Sequence, residues 1–316
     1  MARPMTDDRS TGLGYRDKLH KGIHDIRTLP ALSAVLAPLM ECLGRPAGDI
    51  DLDRVVRLIS YDEGIAAQCI RMTNSVMFGR RFDVETVRDS VVALGLWRVS
   101  DVVFSYAVPT MFVAFPPQVD PDVFWRHSLS CALVSQKLAK IVRSISAEKA
   151  YLAGLLHDLG ILVNATLFPE EFAAIMKRAA EQSRPLDEVE TEVLGFSHAY
   201  SGRVLAEVWK FSPDIKAAME YHHDVTAPPV AQDLVALVHL SDLLCRHRGA
   251  GYGYEEARQI DFTCSPAWLV LVRNCRQMGR PHLSRFGKEL DEYFDEVVPL
   301  VTSILDPIIQ PQRVAR

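Results

Sequence analysis

The sequence predicts an all-α protein built from two helical subdomains. Three observations carry this. Apolar residues recur at spacings of three and four along most of the chain, the period of a helix that buries one face. No segment sustains the apolar–polar alternation of a half-buried strand. The helical pattern is interrupted at Pro116, Pro117 and Pro121, which end any helix and stiffen the link. We place a domain boundary over residues 115–121. An N-terminal helical subdomain then spans 21–114 and a second one 122–247. A Gly-rich linker with C-terminal helices packing on the body spans 248–316.

Residues 1–20 are polar and are expected to be disordered or loosely attached. Helical periodicity starts near His24 and breaks at Leu29-Pro30. A helix follows over 31–43, with Pro38 as a kink, and Pro46 marks the loop after it. Asp51 or Asp53 is placed to cap a helix carrying Val55, Val56, Leu58 and Ile59. The next helix, 64–74, sets Ile65, Cys69 and Met72 on one side. A turn around Gly79 follows over 78–82, with Asn74 and Ser75 shaping its entry. Two short helices, 84–94 and 96–108, complete the first half. The second half resumes with helices over 125–142 and 147–165. Pro169 suits the first position of a helix running to 182. Helical spacing continues over 186–194, 196–209, 213–222 and 231–246. Residues 247–262 read as a linker. The last segment, 266–308, ends in an amphipathic helix through Leu290, Phe294, Val297, Val298 and Val301.

Composition narrows the function classes. The chain has 316 residues, 48% of them hydrophobic and 24% charged, enough to bury a core without staples. A net charge of −5 without long basic runs argues against a nucleic-acid surface. The six cysteines show no Cys-x-x-Cys spacing and read as reduced core residues of a cytoplasmic protein. Asp7, Asp8 and Arg9 make the N-terminus too polar for a signal peptide. No apolar run approaches the roughly 18 residues of a membrane span, so no membrane partner is expected.

The chemistry gathers on Leu155-Leu156-His157-Asp158-Leu159-Gly160. Adjacent residues on a helix point about 100° apart, yet both can reach one centre between them if that centre is a metal ion. His127 heads an apolar stripe of Cys131, Val134, Leu138 and Ile141. His198 heads another, with Gly202 one turn on allowing close approach of a second backbone. His222 and His223 end a helix together. Asp242 shares a face with Val235, Val238 and Cys245, where an ionised carboxylate needs a cation, a protonated His or a metal. Taken singly, each His is explained by a core imidazole bonded to a carbonyl, and Asp242 by a buried ion pair. Taken together, His127, His157, Asp158, His198, His222, His223 and Asp242 form a ligand set suited to iron, manganese, zinc or nickel. An Asp that bridges two ions is how a two-metal hydrolytic site is built. A metal-free, hydrogen-bonded histidine core is the competing account.

The order His127, His157-Asp158, Asp242 resembles the HD superfamily of metal-dependent phosphohydrolases. The resemblance implies that these four residues bind a first metal. His198, His222 and His223 fall where the HD-GYP branch, phosphodiesterases that open cyclic di-GMP, supplies ligands to a second. The N-terminal half looks like the HDOD family, through Leu29-Pro30-Ala31-Leu32, Asn74-Ser75-Val76-Met77-Phe78-Gly79 and Ser90-Val91-Val92-Ala93-Leu94-Gly95. In the second half Phe124-Trp125-Arg126-His127-Ser128, the stretch around His157 and Trp209 look the same way. The likeness covers roughly residues 20–250.

Departures from the pattern matter. Asp62-Glu63 stands where HDOD proteins carry Asp-Pro. Ile161 replaces the Lys that helps HD-GYP proteins hold phosphate, the Gly-Tyr-Pro motif is missing after His222-His223, and Val123 stands where three-metal members have Glu. Arg203, in the stretch after His198, could replace the lost cation, although an Arg in such a place is more often a surface residue. The resemblance therefore implies a bacterial signal-transduction regulator that holds one or two ions, with little or no catalysis. Its partner would be a signalling protein or a small phosphorylated ligand. The alternative is an active phosphodiesterase on a cyclic dinucleotide or another phosphorylated signal, with Asp158 bridging the ions.

Overall fold

The structure, a computed structural model of the full chain, describes residues 8–24, 36–43, 49–74, 84–111, 116–254, 265–274 and 292–306. All regular structure among these residues is helical. The chain separates into two compact units: Met1–Leu29 with Ala114–Phe294, and Pro30–Val113 with Asp295–Arg316.

The first described element is α1 (Asp8–His24), which corrects the expectation of disorder or loose attachment for residues 8–20. Its polar composition hides two apolar positions one turn apart, Leu19 and Ile23, and both are buried.

The smaller unit contains α2 (Leu36–Leu43), α3 (Leu52–Ser60), α4 (Glu63–Thr73), α5 (Val87–Leu94) and α6 (Leu96–Met111). Side-chain caps set three of the starts: Asp51 accepts from Arg54 N, Asp62 from Ile65 N and Thr86 from Asp89 N. Of the two capping candidates for α3, Asp51 is the one used. Val55, Ile59, Ile65, Cys69, Met72 and Val103 form its core. Asn74 receives the Val84 N–H at 2.8 Å and donates to the Val84 carbonyl at 2.7 Å. Its side chain therefore shapes the chain here, as its turn-forming chemistry implied. The Leu29-Pro30 break, Ser75, the turn around Gly79, Cys264, Cys275 and Leu290 lie outside the described residues.

The larger unit begins with α7 (Pro121–Val142), capped by Asp120 with Pro121 in the first turn. Ser146 caps α8 (Ala147–Leu156). The two helices pack tightly because position 154 is Gly: a Cβ there would meet the Cys131 carbonyl oxygen at 2.7 Å and the Ala132 Cα at 2.9 Å. The single helix expected over 147–165 is in fact two. The chain turns at His157-Asp158 and restarts as α9 (Leu159–Leu167). Ala147–Leu167 is long and apolar enough for a membrane span, contrary to the sequence reading, but 89% of its most apolar window is buried inside the protein. It is a bent core segment. The unit continues with α10 (Pro169–Gln182), α11 (Leu186–Leu194), α12 (His198–Val208), α13 (Pro213–Tyr221), α14 (Gln232–His247) and α15 (Pro266–Asn274). A further helix, α16, spans residues 292–306, and from Asp295 on it belongs to the smaller unit. Trp125, Leu129, Leu138, Tyr151, Leu155, Phe168 and Phe172 are fully buried and belong to the core of the larger unit. Each such side chain contributes on the order of 1.5–3 kcal/mol of hydrophobic stabilisation. Cys42, Cys69, Cys131 and Cys245 are free and buried, as their apolar context implied.

Candidate metal centre

The bend between α8 and α9 explains how adjacent His157 and Asp158 serve one centre. Asp158 stands at the N-cap position of α9 but makes no capping hydrogen bond. Its carboxylate is turned inward instead. One oxygen, Oδ2, lies 3.1 Å from His127 Nε2 and 3.2 Å from His157 Nε2. The other, Oδ1, lies 3.3 Å from His198 Nε2 and 3.4 Å from His222 Nε2. Asp242 Oδ1 is 3.4 Å from His127 Nε2, on the first side. His223 Nε2 lies 2.9 Å from His198 Nε2, on the second. All seven sequence candidates thus converge, from α7, the α8–α9 bend, α12, the end of α13 and α14. His127, His157, Asp158, His198, His222 and Asp242 are each 0% exposed, and His223 is half-buried.

The outward nitrogens orient the rings. His127 Nδ1 donates to the Ala250 carbonyl at 2.6 Å, His157 Nδ1 to Gly154 at 2.7 Å and His222 Nδ1 to Met219 at 3.0 Å. His198 Nδ1 faces Glu190 Oε2 at 2.5 Å. An Nδ1 proton committed outward leaves the Nε2 lone pair pointing inward, the tautomer that binds metal. His198 Nε2 and His222 Nε2 face each other at 3.3 Å. His157 Nε2, Asp158 Oδ1 and Asp242 Oδ1 are buried and make no hydrogen bond. Orphaned buried polar atoms cost about 1–3 kcal/mol each unless something satisfies them. A metal ion does so. Ligand atoms about 2.1 Å from one ion stand roughly 3.0–3.4 Å apart, the range of separations found here. The residues therefore fit a divalent or transition metal ion.

The charge states divide among the ligands. Burial would push the Asp158 carboxyl up, but His157, His127 and His198 outweigh it and hold it well below the usual carboxylate range. Burial raises Asp242 as well, and Arg246 and His127 outweigh it to bring it down. Burial pushes His222 and His223 below the ordinary imidazole value, and neighbouring histidines push His223 further. Burial also opposes charge on His127 and His198, but Cys131, Asp158 and Asp242 around the first and Glu190 and Asp158 around the second outweigh it and hold both well above the ordinary imidazole value. The carboxylates, His222 and His223 are thus in their ligating forms, and an ion would displace the extra protons of His127 and His198.

Four residues at the centre escaped the sequence reading. Glu190, fully buried on α11, accepts from the His198 backbone N–H at 2.7 Å and from Asn164 Nδ2 at 2.9 Å, besides facing the His198 ring. Its signal was present: Leu186, Glu190 and Leu194 share one helical face, a carboxylate in an apolar stripe like Asp242. Cys131 Sγ lies 3.6 Å from His127 Nε2, among the atoms that could reach a first ion. Arg246 donates to Asp242 Oδ2 at 2.7 Å. Tyr252, in the segment taken for a linker, donates its hydroxyl to Asp158 Oδ2 at 2.8 Å.

Two expectations are refined in detail. The close backbone crossing expected at Gly202 is present, but the residue that must lack a Cβ is its partner Gly160: a Cβ there would meet the Gly202 amide nitrogen at 2.7 Å, whereas a Cβ on Gly202 would meet Met219 atoms at an ordinary 3.6–3.7 Å. Arg203 does not point at the centre. It pairs with Glu207 and Glu220 and stacks over Tyr200.

The chain can be compared with known proteins. The HDOD domain pattern matches residues 29–225, more than half of the chain. An uncharacterized protein of Treponema pallidum (strain Nichols) is 24% identical over 243 residues, which take in 76% of this chain and 46% of that protein. The chain thus spans about half the length of this curated relative. A crystal structure of an HDOD domain protein of unknown function from Geobacter sulfurreducens superposes with a TM-score of 0.81 at 24% identity, covering 95% of this chain and 100% of that one. A Marinobacter aquaeolei protein provisionally described as signal-transducing gives 0.69 at 21%, covering 93% and 66%. A Shewanella amazonensis protein provisionally described as a phosphohydrolase gives 0.63 at 23%, covering 83% and 88%. At these identities the likeness to the crystal structures is one of fold.

Proposed function

The chain belongs to the HDOD domain family, and on that premise we propose that it is a cytoplasmic signal-transduction regulator whose His/Asp centre holds metal without turning over a substrate. The observation that carries this reading is the closure of the centre. Six of the seven ligand candidates have no exposed surface, and the Nδ1 atoms of His127, His157 and His222 donate outward to backbone carbonyls, which turns their Nε2 atoms inward. Such a set satisfies an ion and offers little to a phosphodiester. A phosphodiester also needs cations beside its non-bridging oxygens. Ile161 is buried, and Arg203 is committed to carboxylates.

His127, His157, Asp158 and Asp242 would hold one ion, and His198, His222 and His223 a second that shares Asp158. Iron, manganese, zinc and nickel all suit such ligands. An ion there supplies a cross-link between α7, the α8–α9 bend, α12, α13 and α14, so occupancy is coupled to the packing of the unit. Output would pass to a protein partner or a small phosphorylated ligand.

The second reading, a phosphodiesterase, is favoured by one observation: the two Asp158 oxygens face two ligand sets, the layout of a two-metal site. Metal analysis of the purified protein, followed by assay on bis(p-nitrophenyl) phosphate and cyclic di-GMP, separates the readings. The expected result is bound metal without turnover. Turnover abolished in Asp158→Ala establishes the second reading, and a metal-free protein overturns both.

A further inference from the structure

The segment after α14 is built as a strap across the first ligand set. Two contacts pin its start: Ala250 N donates to Cys245 O at 2.9 Å, and the Ala250 carbonyl accepts from His127 Nδ1 at 2.6 Å. Gly249 and Gly253 take φ of +79° and +89°, conformations that admit glycine and disfavour other residues. A Cβ added at Gly253 would lie 3.9 Å from Val123 Cγ1. Tyr254 closes the strap by donating its hydroxyl to the Arg184 carbonyl at 3.0 Å. Between the two glycines stands Tyr252. Its ring lies 4.9 Å from the His127 ring, with the Arg246 guanidinium 5.9 Å from its centroid. Its hydroxyl reaches Asp158 Oδ2, the oxygen that His127 and His157 also face.

We propose that Gly249–Tyr254 is a built-in lid of the centre, and that the Tyr252 hydroxyl holds the place through which a water or phosphate oxygen would approach the first metal position. This rests on the metal-binding reading above and adds how access to that centre is regulated. The argument is geometric. The phenol lies on the ligand oxygen itself, the strap is tied down at both ends, and its anchor at Ala250 fixes the orientation of a ligand ring. An anion can reach the first position from this side only by displacing Tyr252. The two glycines permit that displacement, because they are the residues able to take up large backbone rotations. Opening the strap also releases His127 Nδ1, so access and ligand geometry change together.

The test uses the full-length protein loaded with Co(II), whose visible absorption reports the ligands around the ion, and inorganic phosphate as the probe. The native protein is expected to keep its spectrum as phosphate is added. Tyr252→Ala should shift its spectrum at phosphate concentrations about tenfold lower or more, the size expected for removing one hydrogen bond to a charged group. Tyr252→Phe keeps the ring and its packing, guards against a variant that fails to fold, and should fall between the two. Native and Tyr252→Ala proteins that answer phosphate alike overturn the lid and leave the metal reading intact. A protein that takes up no Co(II) in any form overturns the metal reading and the lid with it.

Discussion

Gly160 passes so close to His198 that a Cβ at position 160 would lie 1.9 Å from the His198 carbonyl oxygen. It would also meet the Gly202 amide nitrogen at 2.7 Å. The glycine two residues after Asp158 is thus the point where α9 and α12 touch backbone to backbone. That contact sets the distance between the α8–α9 bend and the second ligand set.

Gly160→Ala should therefore force the two helices apart. The expected loss is about 3 kcal/mol or more, at the upper end for overpacking because the obstacle is backbone and cannot rotate away. Thermal unfolding measures the loss. Metal content should fall in parallel, since His198 moves with α12.

Removing the metal should destabilise the larger unit. An ion present at about a hundred times its Kd stabilises by roughly 2.7 kcal/mol, which corresponds to a drop of about 5–10 °C on chelation. Differential scanning calorimetry with and without chelator checks this, and re-addition of the ion should restore the transition. A melting curve indifferent to chelator would favour the hydrogen-bonded histidine core.

Glu190→Gln tests the support behind the second ligand set. The variant keeps the shape and an acceptor for Asn164 but withdraws the charge that His198 Nδ1 faces. Metal affinity should fall about 10–100-fold, the usual effect of losing such a partner. Competition with a chromogenic chelator gives the number.

Ile161→Lys restores the residue type whose absence the family comparison raised. Ile161 is 2% exposed, so the ammonium has no water to sit in. A loss of about 3–5 kcal/mol is expected, as for other uncompensated buried charges, with no gain of phosphodiesterase activity. Denaturant unfolding and the bis(p-nitrophenyl) phosphate assay read the two outcomes. Activity in a stable variant would mean that the site opens further than its burial implies.

Most of the centre was legible because it obeys local periodicity. His127 above Cys131 and Val134, and Asp242 between Val238 and Cys245, stand out as polar side chains on faces that a helix must bury. The same rule would have found Glu190 between Leu186 and Leu194. It failed at α1, where among the described side chains Leu19 and Ile23 carry the buried face and charged neighbours dilute the pattern. It also failed at residues 147–167, where a continuous apolar run concealed the bend at His157-Asp158.

The sequence by itself determined an all-helical chain, its family, and seven side chains that could not be buried alone. Those properties are written in near-neighbour spacing, over which the chain's own geometry acts. Which atom each residue meets was decided only by tertiary structure. Asp158 could find Tyr252, 94 positions away, only once α14 and the strap had folded back across the α8–α9 bend. His127 likewise needed Ala250, 123 positions on, to turn its ring. Helix periodicity says that a group is buried. The packing of helices distant in sequence says what satisfies it, and here that includes a tyrosine whose glycine-rich surroundings read as a linker.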